Sequence, residues 1–571
     1  MADALARYDF IVVGAGPAGC TIASTLAKTK ARPQVLLVEA GDDNDDVNLR
    51  VDGNKYVQML TPSLEWGYKS LPQASLANRE IRLARGKGLG GSSAVNFTVW
   101  NIGPRDDMEE MARLTGDDAW KWEKAQERWK KLENFHAKKG EIPEGMEQYL
   151  DPRPENHGTT GPLHIGFPYE WDYEVTAMMD IWRANGFAIN PDASNGDPLG
   201  LSVFPLTSYR GVRVTSADLL AAAPDNLHIL TRAHVHRVLI EDGRAKGVML
   251  VDGEKLYALK EVIISAGSLD SPKILMHSGI GPADQLSKFQ IPMVHENPSV
   301  GKNYRDHYHV MMKFAWADHM SKRPAFFRDK LAQKAAMREW QLYRTGPYAN
   351  LGCAMAIGFF KSDATLQSPE FALLPDAEKE RLLAPTIPSY EVCWNCTAVD
   401  YYIAPDAAPA IATVTVFLQN SQGLGEVRLQ SSNPSVPLEF DPAYLEHPFD
   451  KRVAIEATRE VLKVVQSPEF QKNNVGYLCV PKSDSEEDIL EFWQQELAST
   501  WHMSCTCKMG QSEKGDNAVV DTDLKVFGVK GLRVADMSVM PILLSAHTQA
   551  AAYQVGMVGA EKVISEYGLD K

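Results

Sequence analysis

The stretch "DFIVVGAGPAGCTIASTLA" (residues 9–27) holds an apolar run, three glycines spaced G-x-G-x-x-G and a tail of small residues with helical character. Phe10 to Val13 is short, β-branched and bounded by Gly14, which predicts a fully buried strand of a parallel sheet with a helix after it. Gly14 lets the chain turn tightly, Gly16 lacks the Cβ that would block a pyrophosphate, and Gly19 lets helix and strand approach closely. The first amides of the helix would face phosphate oxygens. A second apolar run, Val35 to Val38, ends in Glu39, twenty residues past Gly19, where a carboxylate can accept both hydroxyls of an adenosine ribose. The combination predicts a dinucleotide-binding unit and leaves NAD and FAD both open, because the two share an ADP half.

At 571 residues the chain exceeds what one hydrophobic core usually supports, so two intertwined domains are expected. Its 59 basic and 74 acidic side chains give a net charge of −15, which disfavours nucleic acid or an anionic membrane as a partner and leaves small uncharged substrates open. The opening "MADALARYDF" has no charged leader, apolar core or cleavage site, and no window suits a membrane span. A cytoplasmic protein is expected. The final "GLDK" carries no peroxisomal or ER tripeptide signal. Cys20, Cys353, Cys393, Cys396, Cys479, Cys505 and Cys507 are odd in number, which excludes a full disulfide framework.

Pattern shifts along the chain suggest the organisation. Residues 106–136 read as helical, with Trp120, Trp122 and Trp129 on faces that need burial, and 137–170 as surface loop rich in Gly, Pro and charge. In "NLHILTRAHVHRVLIEDGRAKGVML" two strand-like runs flank Asp242-Gly243, a hairpin signal. "LKEVIISAGSLDSPKILMHSGIG" is again strand, glycine turn and helix, returning the chain to the first sheet. From 313 to 500, segments such as "ATVTVFLQ" and "GEVRLQ" alternate as antiparallel strands do and mark a substrate-side domain. Residues 501–571 end in a helix of small residues suited to packing back on the dinucleotide domain. The fold expected is α/β: a discontinuous Rossmann-like domain (mainly 1–312, with inserted loops and part of the substrate side at about 137–205, and again 501–571) and a second, largely antiparallel-sheet domain (313–500).

The glycine-rich "RGKGLGGSSAVN" (85–96) is a run of amides that could cradle anionic oxygens. With the first fingerprint, and with "LEWGYKSLPQ" (64–73), "SAGSLDSPKILMHSGIG" (265–281), "VGKNYRDHYHV" (300–310), "TWHMSCTCKMG" (500–510), "VVDTDLKVFGVKGLRVADMSVMP" and "SAHTQAAAYQVGMVGAEKVI", it follows in order the motifs of one family. The chain resembles the glucose-methanol-choline (GMC) family of flavin-dependent oxidoreductases along nearly its full length, nearest in motifs to aryl-alcohol oxidase-like fungal members. The resemblance makes FAD the expected cofactor. It implies that Gly14, Gly16, Pro17, Ala18 and Gly19 hold the pyrophosphate, Glu39 with Ala40 the adenosine ribose, and the Val235 backbone the adenine. Gly90, Gly91, Asn96, Phe97, Thr98 and Val99 would line the flavin ring and ribityl arm, with Asp536, Met537, Thr548 and Gln549 closing over the isoalloxazine. Some relatives bind FAD covalently through a His just before the Asn matched by Asn96; Val95 stands there, so non-covalent FAD is expected.

Alcohol oxidation removes a hydride from carbon and a proton from oxygen, and the proton needs a base. The resemblance gives that role to His502, a residue type whose ordinary pKa near 6.5 keeps it neutral at working pH. His547 matches the second active-site position, hydrogen-bonding the same substrate oxygen. His307 and His309 read as structural. Cys393-x-x-Cys396 and the His502, Cys505, Cys507 group have ligand-like spacing, but no second C-x-x-C completes a standard zinc site and no metal is expected. Cys505 stands where the family usually has a small residue, which would place an extra thiol near the pocket. Trp501 is the expected substrate contact, with Phe97, Tyr401 and Tyr402 as further aromatic candidates. Departures at Trp100-Asn101-Ile102-Gly103 and Asp107-Met108-Glu109 set the chain apart from the sugar and choline branches.

The resemblance implies oxidation of a primary or secondary alcohol, aromatic or from specialised metabolism, to its carbonyl, with oxygen or another acceptor taking the electrons. The alternative is a lyase or cyclase without net redox that uses the same histidine pair, as hydroxynitrile lyases do.

Overall fold

A computed structural model describes residues 7–136, 146–168, 171, 173–350, 355–394, 400–406 and 408–571. The apolar run at the N-terminus forms the buried strand Arg7–Val13, and the helix Pro17–Ala27 follows, with Gly16 as its N-cap and proline in its first turn. In the first seven-stranded sheet, Leu227–Leu230, Val35–Val38, Arg7–Val13 and Lys255–Ile264 run parallel side by side, and Leu532–Val534 pairs parallel with the last of them. The sheet therefore draws on three distant parts of the chain. The helix Gln549–Tyr567 closes over it and approaches Pro17–Ala27 closely: a Cβ on Gly556 would stand 2.7 Å from the Ala18 carbonyl oxygen.

The hairpin expected at Asp242-Gly243 is present between Val235–Glu241 and Arg244–Leu250, and both turn residues have positive φ (49° and 69°), as a tight hairpin turn of this hand requires. The run before it divides, however. Leu227–Leu230 lies at one edge of the sheet and Val235–Glu241 at the other, so the sequence between them crosses the sheet's end. Trp120 and Trp129 are buried, and Trp122 is half-buried against Trp129. The stretch expected to be surface loop contains the strand Leu163–Gly166.

The second sheet orders its strands Asn474–Cys479, Tyr308–Trp316, Ala410–Leu418, Tyr390–Trp394, Met355–Phe360 and Gly200–Phe204, all antiparallel, with Ala498–Ser499 beside Tyr308. Two strands of this part of the chain depart from the sequence reading. Ala410–Leu418 is buried at every position, because it is central, with the helix Pro448–Val465 packed against it. Glu426–Arg428, from "GEVRLQ", leaves the sheet to pair with Glu439–Asp441. No described helix is long and apolar enough to cross a membrane.

Candidate active site

A cavity of about 500 Å³ runs between the two sheets, from Gly16 and Glu39 to His502 and His547. At its nucleotide end the three glycines do different things. A Cβ on Gly14 would lie 2.5 Å from the Ser265 carbonyl oxygen, and one on Gly19 only 1.9 Å from that of Gly14, so both are packing requirements. A Cβ on Gly16 would meet nothing within 4 Å, because it would enter the cavity itself. The loop at 88–91 buttresses this turn: the Gly90 amide donates to the Ala15 carbonyl (3.0 Å), and a Cβ on Gly91 would come 2.7 Å from the Gly16 Cα.

Glu39 is buried at the end of Val35–Val38, and its carboxylate accepts the amides of Ala15 (2.8 Å), Gly41 (2.8 Å) and Gly88 (3.0 Å). It thus ties the first βα turn to the glycine-rich loop, a duty the spacing did not reveal. Asp536 does the same from the C-terminal segment, accepting from the Gly267 amide (2.8 Å), the Ser271 hydroxyl (2.5 Å) and the Ser538 amide (2.8 Å). The Asn96 side-chain amide donates to Gln549, which in turn donates to Thr207 (2.8 Å), while Asn96 Oδ1 accepts from the Thr98 amide and Arg213.

At the other end stand four imidazoles. The His502 main-chain amide donates to Asp306 Oδ1 (2.7 Å), whose other oxygen accepts from Tyr444 and Ser499 (2.5 Å each). Trp501, just before it, holds φ +61°, with its amide on Ser499 Oγ (2.8 Å) and its carbonyl on Arg85 (2.6 Å). A left-handed tryptophan is strained and persists because these bonds over-determine it. His502 Nδ1 lies 2.9 Å from His307 Nδ1, and His547 Nε2 2.8 Å from the buried Glu391, which also accepts from Gln419 (2.9 Å). The rings of His502 and His547 are 5.1 Å apart. Burial, reinforced by His547, His307, Arg85 and His309, holds His502 well below the usual imidazole range, so it is neutral and able to accept a proton. Burial likewise pushes His307 down to about 3 and His309 to about 4, and raises Asp306 to about 6.

The GMC oxidoreductase family models match residues 8–309 and 421–556, spanning both ends of this cavity. The chain belongs to the GMC oxidoreductase family. It is 30% identical to an oxygen-dependent choline dehydrogenase of Sinorhizobium medicae over 99% of this chain and 96% of the relative. Among solved structures it resembles the formate oxidase of Aspergillus oryzae (TM-score 0.88, 26% identity, 99% of each chain) and a fungal aryl-alcohol oxidase (TM-score 0.84, 25% identity, 98% of this chain and 99% of that one).

GMC oxidoreductases bind FAD, and the residues present fit it: the missing Cβ of Gly16 opens on the cavity, as does that of Gly267, which would meet nothing within 4 Å. Of the residues expected to hold it, Gly14, Gly16, Pro17, Ala18, Glu39, Ala40, Gly91, Asn96, Phe97, Thr98, Val99, Val235, Asp536, Met537, Thr548 and Gln549 line the cavity, with Trp501, His502 and His547; Gly19 and Gly90 stand behind the wall. Other placements differ from the sequence reading. His307 and His309 each make the hydrogen bond a structural role calls for, to His502 (2.9 Å) and Thr500 (3.2 Å), but His309 also lines the cavity. Among the described residues the thiol that lines the cavity is Cys393; Cys505, at φ +75°, is buried one layer back, with its amide on the carbonyl of Met537 (3.1 Å). Tyr401 packs on Phe327 (5.4 Å) and donates to the Pro409 carbonyl, outside the cavity. Cys396 and the Tyr402 side chain lie outside the described residues. Among the described residues no group of three or more His, Cys, Asp or Glu has metal-holding geometry. Glu391 escaped the sequence reading because nothing local marks it: a lone acid in the strand "YEVCW" gains meaning only from the helix-end histidine that meets it.

Proposed function

We propose that this GMC oxidoreductase oxidises a primary or secondary alcohol to the carbonyl, with FAD held non-covalently and His502 as the general base. When bound, FAD supplies the acceptor for the hydride and its two electrons. The His502 ring accepts the hydroxyl proton at Nε2, with Nδ1–H donated to His307 so that the lone pair faces the cavity. Asp306 and Arg85 hold the His502 loop, so the ring need not reorganise as the proton moves. Glu391, 2.8 Å from His547 Nε2, fixes the second ring beside the same substrate oxygen.

The observation that carries this reading is a neutral, doubly anchored imidazole 5.1 Å from a second one, ring to ring, in a cavity continuous with the Gly16 turn. Val95 lines the cavity and offers no nucleophile, which supports a non-covalent cofactor. Acid precipitation should release all the flavin into the supernatant, and yellow colour retained in the pellet would refute that part. Anaerobic mixing with an alcohol should bleach the flavin. Turnover with unchanged flavin colour would instead establish the non-redox lyase alternative.

A further inference from the structure

The far end of the cavity is the face of the antiparallel sheet, and strand register makes it a grid of two rows. One row is His309, Phe417 and Glu391; the next is Met311, Thr415 and Cys393. Five of these six line the cavity, and the sixth, Glu391, is covered by His547. Residues two apart on a strand stand about 7 Å from each other, so Thr415 lies about that far beyond the row that seats His547.

Two features of this floor point to what lies on it. The described residues that the sheet contributes to the cavity include no Lys, Arg, Asp or Glu; the charged lining residues come from segments outside the sheet. Burial keeps His309 uncharged at neutral pH. The floor therefore exposes no counter-ion to a quaternary ammonium or a carboxylate, its one acid, Glu391, being 1% exposed beneath His547, while Phe97 and Trp501 add two nearly parallel rings (9° between planes) to the wall. The second feature is Thr415 itself. It is 1% exposed, it lines the cavity, and its Oγ1 has no hydrogen-bond partner among the described residues. Buried hydroxyls are normally satisfied, so an unpartnered one on a side chain that lines a cavity marks a position where a ligand's polar atom can complete it.

We propose, resting on the alcohol-oxidation reading above, that the substrate is an uncharged alcohol with a flat apolar body carrying a second oxygen, and that the Thr415 hydroxyl donates to that oxygen. Met311 and Cys393, on either side of Thr415, then bound the body of the molecule, and Thr415 is a specificity-determining residue.

The test measures anaerobic flavin reduction in the FAD-loaded enzyme with 3- and 4-methoxybenzyl alcohol against 3- and 4-ethylbenzyl alcohol, which match them in size and lack the ring oxygen. The better methoxy isomer should react faster than its ethyl partner by up to about tenfold in second-order rate constant, the worth of one hydrogen bond. Whatever Thr415→Val does to absolute rates, it should bring that ratio to about one, and Thr415→Ser should restore it. A ratio of one in the parent enzyme, or one that survives Thr415→Val, overturns the Thr415 contact. Choline and formate should leave the flavin oxidised, and faster reduction by either than by the benzyl alcohols overturns the uncharged class. Flavin that no alcohol of any class reduces refutes the oxidation reading itself and takes this inference with it.

Discussion

At the nucleotide end of the cavity the wall is main chain, cut back at Gly16 and tied together by the amides that Glu39 and Asp536 collect; at the sheet end it is side chains, set in rows by register between strands. The first kind of wall is suited to what every FAD has in common, and it is built of short turns, each set by its own local residues, although the turns come from distant parts of the chain. The second is suited to what one substrate has and others lack, and its residues come from strands as much as a hundred positions apart. One family can therefore keep the first end while its members diverge at the second, as the choline, formate and aryl-alcohol names of this chain's relatives illustrate.

The largest expected effect separates chemistry from cofactor binding. His502→Ala should leave the bound flavin spectrum nearly unchanged, because His502 is held by Asp306 and His307 at the sheet end. Flavin reduction should slow by about 10²–10⁴, the usual loss with a general base. A stopped-flow rate within a few-fold of the parent would remove His502 from the mechanism.

Next come the glycines, which divide the nucleotide end into wall and buttress. Gly19→Ala sets a methyl 1.9 Å from the Gly14 carbonyl oxygen, a backbone atom that cannot yield cheaply, and should destabilise the fold by about 1–3 kcal/mol or more. Gly16→Ala meets no protein atom and has an ordinary φ of −79°. Its effect on the stability of the FAD-free protein should stay within about 0.5 kcal/mol, while FAD retention falls because the methyl enters the cavity. Urea denaturation read beside FAD titration checks both, and equal losses of stability in the two variants would erase the distinction.

The same contrast explains what could be read before the structure. Strand, glycine turn and helix at 9–27 were legible because each residue's job is local: a positive φ at Gly14, a close approach at Gly19. The Asp242-Gly243 hairpin was legible for the same reason. The sheet end was not. That His309, Phe417 and Glu391 share a row depends on two strand pairings, one joining positions 108 residues apart and one joining positions 26 apart, and a one-residue slip in either would turn residues to the other face. His309 accordingly read only as a structural hydrogen-bonder, which its contact with Thr500 fits, and Cys393 only as one of a ligand-spaced pair with no metal expected; register is what sets both on the cavity floor. The complete burial of Ala410–Leu418 was hidden likewise, since its neighbours come from elsewhere in the chain.

The smallest effect sets the two ends against each other through pH. An unfolded imidazole titrates near 6.5 and His309 in the fold near 4, so between those values the unfolded chain binds more protons. Stability due to His309 is thus present above about 6.5 and lost as pH falls toward 4. His309→Gln removes that loss, and its melting temperature should rise relative to the parent as pH is lowered from 7 to 5. Glu39 has the opposite sign. Burial raises its carboxyl above the ordinary glutamate value against the pull of the Ala15, Gly41 and Gly88 amides, so the folded state binds the extra proton and stability declines as pH rises through that range. Glu39→Gln should gain relative to the parent as pH increases. Thermal unfolding of both variants and the parent at matched pH gives two difference curves that should slope in opposite directions. Curves of the same slope would mean that the cavity is electrostatically one region, and that the uncharged floor and the amide-tied carboxylate do not form separate environments.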